Sequence, residues 1–412
     1  MGRLPEELTC MNQPLTPSPD LPLADLKVID CASYVAGPAA ATVLSDFGAQ
    51  VIKIEPPEGD PYRTLVTDQT YPYDMDGRNK ASLVLDLKKP EGMQVLRRLL
   101  TDADVFLTNL PLPARKRLGI DDETLCAAYP RLIYASMTAY GETGAEAEKT
   151  GFDATAYWAR SGLSDLVKAD PEAVPTRSIT GMGDHPSAIA LYAGIMTALL
   201  VRERTGRGQR VSSSLLANGL WANSVFAQAM LNGTPPPDRP SRDFAPNPIA
   251  NIYRCGDGRW INITVLNARQ FPALCETLGR PELIQDPRFA THEARLANNV
   301  ALVKVMDEAL AKAPLAEWRT RLDAAGITFS LISKLTDLPQ DQQLREAGVV
   351  VPYADGQGLT VSSPFELSAS SKRAPEHAAR QAGEHSQQVL RAAGYTDAEI
   401  AALEAAGVTR QA

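Results

Sequence analysis

From Leu26 onward, short runs of apolar residues alternate with longer segments in which apolar positions return every third or fourth residue. That is the texture of buried parallel strands separated by helices. LKVIDCA (26–32) predicts a strand, and PAAATVLSDFG (38–48) predicts a helix entered after Gly37-Pro38 and closed at Gly48. AQVIKIE (49–55) predicts a second strand, stopped by Pro56-Pro57 because proline supplies no backbone donor. SLVLDL (82–87), a helix from Pro90 through Leu100, ADVFLTN (103–109) and RLIYASMTAYG (131–141) continue the succession. Strand, helix and strand in strict order predict an α/β fold with a Rossmann-like, doubly wound parallel sheet.

The texture changes after about residue 225. NGTPPPDRPSRDFAPNP (232–248) reads as a linker, and CGDGRWINITV (255–265) as a hairpin turning at Asp257-Gly258. Residues 268–325 read as helical, and GLTVSSPFELS (358–368) returns to β. GEHSQQVLRAAGYTDAEIAALEAAG (383–407) holds two amphipathic helices broken at Gly394. The expected organisation is an N-terminal extension (1–24), a large domain (25–225), a linker with a smaller α+β domain (226–345), and a C-terminal segment (346–412). A chain of 412 residues exceeds what one hydrophobic core usually serves, which fits two domains.

Composition narrows the function classes. The formal charge is −8, from 41 basic and 49 acidic residues, without a Lys/Arg-rich run. Neither nucleic acid nor an anionic membrane surface is an expected partner. The apolar stretch Ala188–Val201 is short for a membrane span and reads as a buried helix. The five cysteines are scattered and odd in number, which points to the reducing cytoplasm rather than to a disulfide framework or zinc site. No GxGxxG, P-loop, GxSxG or HExxH motif is present, so nicotinamide, nucleotide-hydrolysing, serine-hydrolase and zinc-protease chemistries lose their signatures.

Four segments carry candidate chemistry. Gly37-Pro38 sits where a strand passes into a helix, a place for an anion at free N–H groups or simply a β–α turn. Arg78, Lys80, Lys88, Asn109 and Arg117 lie near strand ends, the edge where open α/β sheets bind ligands; any one of them alone is equally a solvated surface residue. In GFDATAYWARSG (151–162), Asp153 either caps the next helix or sits partly desolvated among Phe152, Tyr157 and Trp158. In GMGDHPSAIALYAGI (181–195), Asp184 stands after Gly183 and before a Pro186-led helix. There it serves either as an N-cap or as a carboxylate nucleophile whose flanking glycines leave room for an acyl group.

In this order the segments resemble the family III CoA-transferases, the CaiB/BaiF type that includes formyl-CoA:oxalate and carnitine CoA-transferases. The resemblance runs from Leu26 to Val408 through AGPAAATVLSDFGAQVIKIE, NKASLVLDLKKPEG, ADVFLTNLPLPARKRLG, YPRLIYASMTAYGETG, GMGDHPSA, RERTGRGQRVSSSLL, DPRF and GEHSQQVLRAAGYTDAEIAAL. It implies a C-terminal segment that returns to the large domain, an interlocked homodimer, and an aspartyl-CoA thioester on Asp184, with Asp153 lining the site. It also implies that CoA is contacted at Tyr34, Val35, Ala36, Leu85, Lys88, Asn109, Leu110 and Arg117. Acyl-CoA and a carboxylic acid are then the substrates, with no metal and no cofactor beyond CoA. Two departures stand out: Pro56 replaces a family arginine, and the glycine-rich flap of the oxalate enzyme has no counterpart. The related 2-methylacyl-CoA racemases use a His–Asp pair in a Gly-His-Asp segment. Here that segment is Gly151-Phe152-Asp153, and phenylalanine carries no exchangeable proton. A CoA-binding subunit without turnover is a further alternative, against which the retained Gly183-Asp184 pair argues.

Overall fold

In the computed structural model of the chain, residues 20–65, 71–235, 239–267 and 270–412 are described. They divide into two compact units. The first contains the described residues up to Leu163, together with Arg177–Ala227 and Gln343–Ala412. The second comprises Ser164–Thr176 and Gln228–Gln342. Residues 1–19 of the expected N-terminal extension lie outside the described residues, as do 236–238 of the expected linker.

The first unit is built on a parallel sheet of six strands: β1 (Lys27–Cys31), β2 (Gln50–Glu55), β3 (Lys80–Val84), β4 (Val105–Thr108), β5 (Ile133–Thr138) and β6 (Arg210–Ser214). Their spatial order is β3-β2-β1-β4-β5-β6. The order reverses between β1 and β4, the switch point at which doubly wound sheets bind ligands. Alternation along the strands sends side chains to both faces. Val28, Val51, Val105, Leu107 and Ile133 join one apolar cluster, while Ile29, Ile54, Leu83, Phe106 and Tyr134 join the other. Both faces are therefore buried, as a parallel sheet requires.

On the first face the helix Ala36–Asp46 is buried throughout, and it packs against the helix Asp184–Thr205. Ala39, Ala40 and Ala41 keep its side chains short where it is enclosed. Gly37 and Pro38 lie inside its first turn rather than before it, where a missing N–H costs nothing. The helix Asp184–Thr205 is long and apolar enough, by length and composition, to cross a membrane. In the fold its Leu191, Ile195 and Ala198 are buried in the same cluster.

Strand β3 begins two residues earlier than the sequence suggests and ends at Val84. Beyond it the amide of Asp86 donates to the Val408 carbonyl at 2.8 Å, and the Thr409 hydroxyl donates to the Val84 carbonyl at 2.7 Å. The C-terminal segment, with helices Ser386–Ala392 and Asp397–Ala405, thus covers the β3 edge that would otherwise be open. Strand β6 was not legible in RGQRVSSSLL, because its burial pattern alternates exposed and half-buried positions without an apolar run.

The second unit carries an antiparallel sheet, β7 (Ala250–Arg254), β8 (Trp260–Thr264) and β9 (Phe329–Leu331). The β7–β8 turn places Gly258 at φ 79°, which glycine adopts at little cost. Its core gathers Tyr253, Ile261, Ile263, Leu302 and Trp318.

A buried bidentate pair fastens the first helix of the large unit to β3: Arg78 Nε and Nη2 reach the two Asp46 carboxylate oxygens at 3.0 and 2.7 Å. Removing one partner strands the other charge out of water. Arg78→Ala is therefore expected to destabilise the first unit by about 3–5 kcal/mol, read as an earlier transition in urea denaturation.

Candidate active site

Every residue of the site belongs to the first unit. A hydrogen-bonded turn after β1 occupies the β1/β4 switch point. Asn109, directly beyond β4, accepts from the Ser33 amide at 2.8 Å and donates to the Ser33 carbonyl at 2.7 Å. The next residue, Tyr34, is held at φ 63°, a left-handed conformation that costs a non-glycine residue energy. Its amide donates to Asp60 Oδ1 at 3.2 Å, and the same oxygen takes the Tyr62 amide at 2.9 Å. The second Asp60 oxygen meets the Lys53 ammonium at 2.8 Å, both side chains being nearly fully buried. Lys53 also donates to the Ala32 carbonyl. One buried ion pair on β2 and its following loop thereby clamps the strained turn and Tyr62 together. Lys53 is held well above the ordinary lysine range: desolvation opposes its charge, and nearby Asp30 and Asp60 outweigh that.

Beneath the clamp, Glu55 accepts from Arg63 through both oxygens and from the Ser82 hydroxyl. Desolvation raises its carboxyl, but these partners prevail and hold it down at about 2. Lys80 is buried on Asp30 at 2.9 Å and on the Pro38 carbonyl at 2.6 Å. Lys80 and Arg78 are thus committed to internal carboxylates and are not free for a phosphate. Gly37 likewise does not open the backbone to a ligand. A Cβ there would lie 2.5 Å from Ala32 Cβ and 3.1 Å from Leu107 Cδ2, so its bare Cα serves packing.

The other sequence candidates divide by accessibility. Val35 and Ala36 are buried at the entry of the first helix, and Leu85 lies in the second apolar cluster with its amide donating to the Glu55 carbonyl at 2.9 Å, so none of the three presents a side chain to a ligand. Leu110 is partly buried, and the Asn109 amide is occupied by Ser33. Lys88 is an exposed cation on the loop after β3, and Arg117 is an exposed cation in the last turn of the helix Leu112–Leu118 that follows β4. Tyr34 is partly exposed, and its ring meets the Phe152 ring edge-on at 5.6 Å between centroids.

That contact leads directly to the carboxylates. Asp153 opens a π-helical stretch, Asp153–Ala159, a rare geometry found often at functional positions. It does not act as the N-cap of that stretch. Its Oδ2 accepts from the Gly181 amide at 2.9 Å and from the Gly183 amide at 3.5 Å, and its Oδ1 from the Ala154 amide at 2.7 Å. The N–H groups beside the candidate nucleophile are therefore taken by Asp153 rather than left free for an oxyanion. Gly183 is fixed by packing as well: a Cβ there would fall 2.4 Å from Tyr157 Cγ. The glycine makes room for Tyr157, which lies with Trp158 in the core, and Phe152 is the exposed aromatic of that segment.

Asp184 is the first residue of its helix, and Gly183 occupies the cap position. The capping alternative for Asp184 is thus not what the fold uses. Among the described residues, no donor hydrogen-bonds its half-buried carboxylate. Burial first, then the Asp153 charge and the Asp76 charge push it up to about 7, against the opposing charge of His185. Tyr62, Asp76 and His185 complete the surroundings. The Tyr62 hydroxyl is raised to about 12 by burial and by Asp76, Asp184 and Asp153 nearby. These three residues were not singled out in the sequence. The available signal was Lys53 and Glu55, charges placed inside an otherwise apolar parallel strand.

Among the described residues no group of three His, Cys, Asp or Glu side chains is placed to hold a metal ion. Among the described residues the arrangement offers a carboxylate without a hydrogen-bond partner, raised to about 7 at a helix N-terminus. That is the equipment for nucleophilic attack on an acyl group.

Comparison with known proteins places the chain among CoA-transferases. The family model described as CoA-transferase family III matches residues 23–386. The chain is 32% identical to an (R)-2-hydroxy-4-methylpentanoate CoA-transferase of Clostridioides difficile, across 92% of this chain and 97% of that one. It is also 32% identical to a cinnamoyl-CoA:phenyllactate CoA-transferase of Clostridium sporogenes, across 92% and 95%. A crystal structure of a CaiB/BaiF family protein from Brucella suis superposes with a TM-score of 0.81 at 30% identity, covering 91% of this chain and all of that one.

The Lys53–Asp60 clamp generates a test. Asp60→Ala releases the Tyr34 and Tyr62 amides together, so it is expected to raise KM for acyl-CoA about tenfold or more through lost pre-organisation. Steady-state kinetics, with circular dichroism to verify folding, checks this.

Proposed function

The chain belongs to CoA-transferase family III and is a CoA-transferase; we propose that it moves CoA from an acyl-CoA to a free carboxylic acid through a covalent thioester on Asp184. The observation that carries this reading is the Asp184 carboxylate itself. Its neighbours Asp153 and Asp76 each accept hydrogen bonds, while Asp184 accepts none among the described residues.

In the proposed cycle an Asp184 oxygen attacks the thioester carbonyl, the C–S bond breaks, and CoA leaves as the thiolate. The thiolate then attacks the aspartyl carbonyl of the mixed anhydride, and the donor acid departs as its carboxylate. An aspartyl-CoA thioester remains. The acceptor carboxylate attacks that thioester and frees the thiolate, which attacks the acceptor carbonyl and restores Asp184. Charge and atoms balance at every step, so no metal, nucleotide or other cofactor is called on. The 3′-phosphate and pyrophosphate of CoA are read as meeting the exposed Lys88 and Arg117, with the pantetheine arm along Tyr34–Ala36.

The acceptor is proposed to be a monocarboxylic acid with an apolar side chain, of the kind named for the two relatives, 2-hydroxy-4-methylpentanoate and phenyllactate. Phe152 and Met182 are both apolar and exposed, Phe152 directly before Asp153 and Met182 two residues before Asp184. Asp153 and Asp76 are anionic neighbours of Asp184 and would repel a second carboxylate on the substrate. A racemase would need a proton carrier at position 152, and Phe152 offers none. The enzyme is proposed to work as a homodimer in the cytoplasm, apart from membranes and nucleic acid. Leu220, Trp221 and Val225, close together in the chain, are exposed apolar residues proposed to meet a second copy, and the four described cysteines are free.

Two measurements test the assignment. Mixed with acyl-CoAs, the wild type is expected to gain a CoA-sized, hydroxylamine-sensitive adduct on Asp184 by mass spectrometry. Asp184→Ala is expected to form none and to lose at least about 10³-fold in kcat. The absence of any adduct from a panel that includes aryl-, branched- and dicarboxylic-acyl thioesters would contradict the covalent route. The second measurement uses stability. Asp184 holds its proton in the fold up to about pH 7 but releases it near pH 4 when unfolded, so stability falls as pH rises through that window. Asp184→Asn, which never ionises, is expected to raise Tm by about 2 °C above pH 7 relative to wild type, with the difference closing towards pH 4.

A further inference from the structure

His185 follows the nucleophile directly, and both of its ring nitrogens are engaged. Nδ1 lies 3.1 Å from the Gly181 carbonyl oxygen, and Nε2 lies 3.1 Å from Asp76 Oδ1. A backbone carbonyl can only accept, and an ionised carboxylate can only accept. Satisfying both bonds therefore takes a proton on each nitrogen, and the ring is an imidazolium.

Asp76 explains why the charge is kept. It sits at the end of the helix Tyr71–Gly77 with its side chain almost fully buried, and among the described residues its Oδ2 has no hydrogen-bond partner. The His185 ring is its ion-pair partner, and a buried carboxylate without one is costly. The groups facing His185 and Asp184 are then Asp76 from that helix, Asp153 from the π-helical stretch, and Tyr62 from the turn Pro61–Thr64. All of these except the imidazolium are anionic or neutral.

We infer that His185, held as an imidazolium by Asp76 and the Gly181 carbonyl, is a positioning residue that supplies the fixed positive charge allowing Asp184 to ionise beside Asp153. The inference rests on the nucleophilic role of Asp184 proposed above and deepens it. The Asp76–His185 pair carries out no bond-making. It sets the pH at which the nucleophile becomes available, and it ties the Gly181 turn, through Nδ1, to the first turn of the nucleophile's helix. The direction of the His185 titration agrees: it is raised, first by its hydrogen bond to Asp76, then by the Asp76 and Asp184 charges and the Gly181 carbonyl, against the cost of burial. A base raised in the fold contributes stability below its unfolded pKa and loses it as pH rises through the folded value.

The test compares wild type, His185→Gln, His185→Arg and the double variant His185→Gln/Asp76→Asn, in which no buried carboxylate is left without its partner. The first readout is the pH dependence of the rate of adduct formation on Asp184. In wild type the rate rises with pH as Asp184 ionises. In His185→Gln that rise is expected to move about one unit higher in pH, and in the double variant, which also loses the opposing Asp76 charge, to move higher by less, with the high-pH plateau changed by less than about tenfold in both. His185→Arg, which keeps the charge, is expected to restore the wild-type midpoint. The second readout is the ¹⁵N spectrum of the wild-type histidines, where His185 is expected to keep both nitrogens protonated at pH 7. An unmoved midpoint in both His185→Gln backgrounds, or a neutral His185 ring at pH 7, overturns the inference. No adduct in wild type at any pH would instead overturn the reading of Asp184, and the ¹⁵N result would still decide the charge state.

Discussion

The site depends on two carboxylates held in different states, one engaged and one left without a hydrogen bond among the described residues. Asp153 draws in the amides of Gly181 and Gly183 and so fixes the loop that leads into Asp184. With the loop fixed from behind, Asp184 enters its helix without a capping bond. Its surroundings then contain burial and two like charges, which withhold the ionised form, and one imidazolium, which favours it. A helix N-terminus also favours an anion. The balance leaves a carboxylate near its midpoint at neutral pH, the condition in which a modest local charge has the greatest effect on reactivity.

Around this centre the fold converts buried charge into rigidity. Lys53, Glu55, Asp60, Arg63, Lys80 and Asp30 form pairs under the sheet edge with little solvent access. Such pairs add little net stability compared with apolar replacements, but they fix directions. Asp60 shows this most clearly: a single oxygen binds the amides of Tyr34 and Tyr62, joining the turn at the switch point to the tyrosine that faces the nucleophile. The strained φ of Tyr34 is sustained by that bond and by Asn109 on the preceding residue.

Much of the architecture was legible in the chain. The apolar runs at 26–32, 49–55 and 103–109 each gave a central strand, and the helix Pro90–Leu100 has the bounds its periodicity predicts. The break at Gly394 separates two helices as expected. Strand β6 was not legible, because an edge strand with polar residues has no periodicity to distinguish it from a loop. Strand β3 was displaced for a tertiary reason, since Val408 captures the Asp86 amide. At the site, the Gly183-Asp184 pair and Asp153 were visible as motifs. The partners of Asp153 were not, because nothing local in 181–183 announces a carboxylate from 28 residues earlier. Arg78 and Lys80 looked like phosphate ligands because charge at a strand end is ambiguous until its counter-ion is known. His185 carries no local signal, because its meaning comes from Asp76, 109 residues away.

The central claim is that a carboxylate oxygen of Asp184 takes part in covalent exchange with the substrates, and isotopic oxygen tests it most directly. Turnover with an acceptor acid labelled with ¹⁸O in its carboxylate, followed by proteolysis and mass spectrometry of the peptide containing Asp184, follows the bridging oxygen of the second anhydride. The account predicts heavy oxygen on Asp184, because cleavage at the acceptor carbonyl leaves that atom on the enzyme. Transfer of CoA to the labelled acid with no heavy oxygen in that peptide would contradict it.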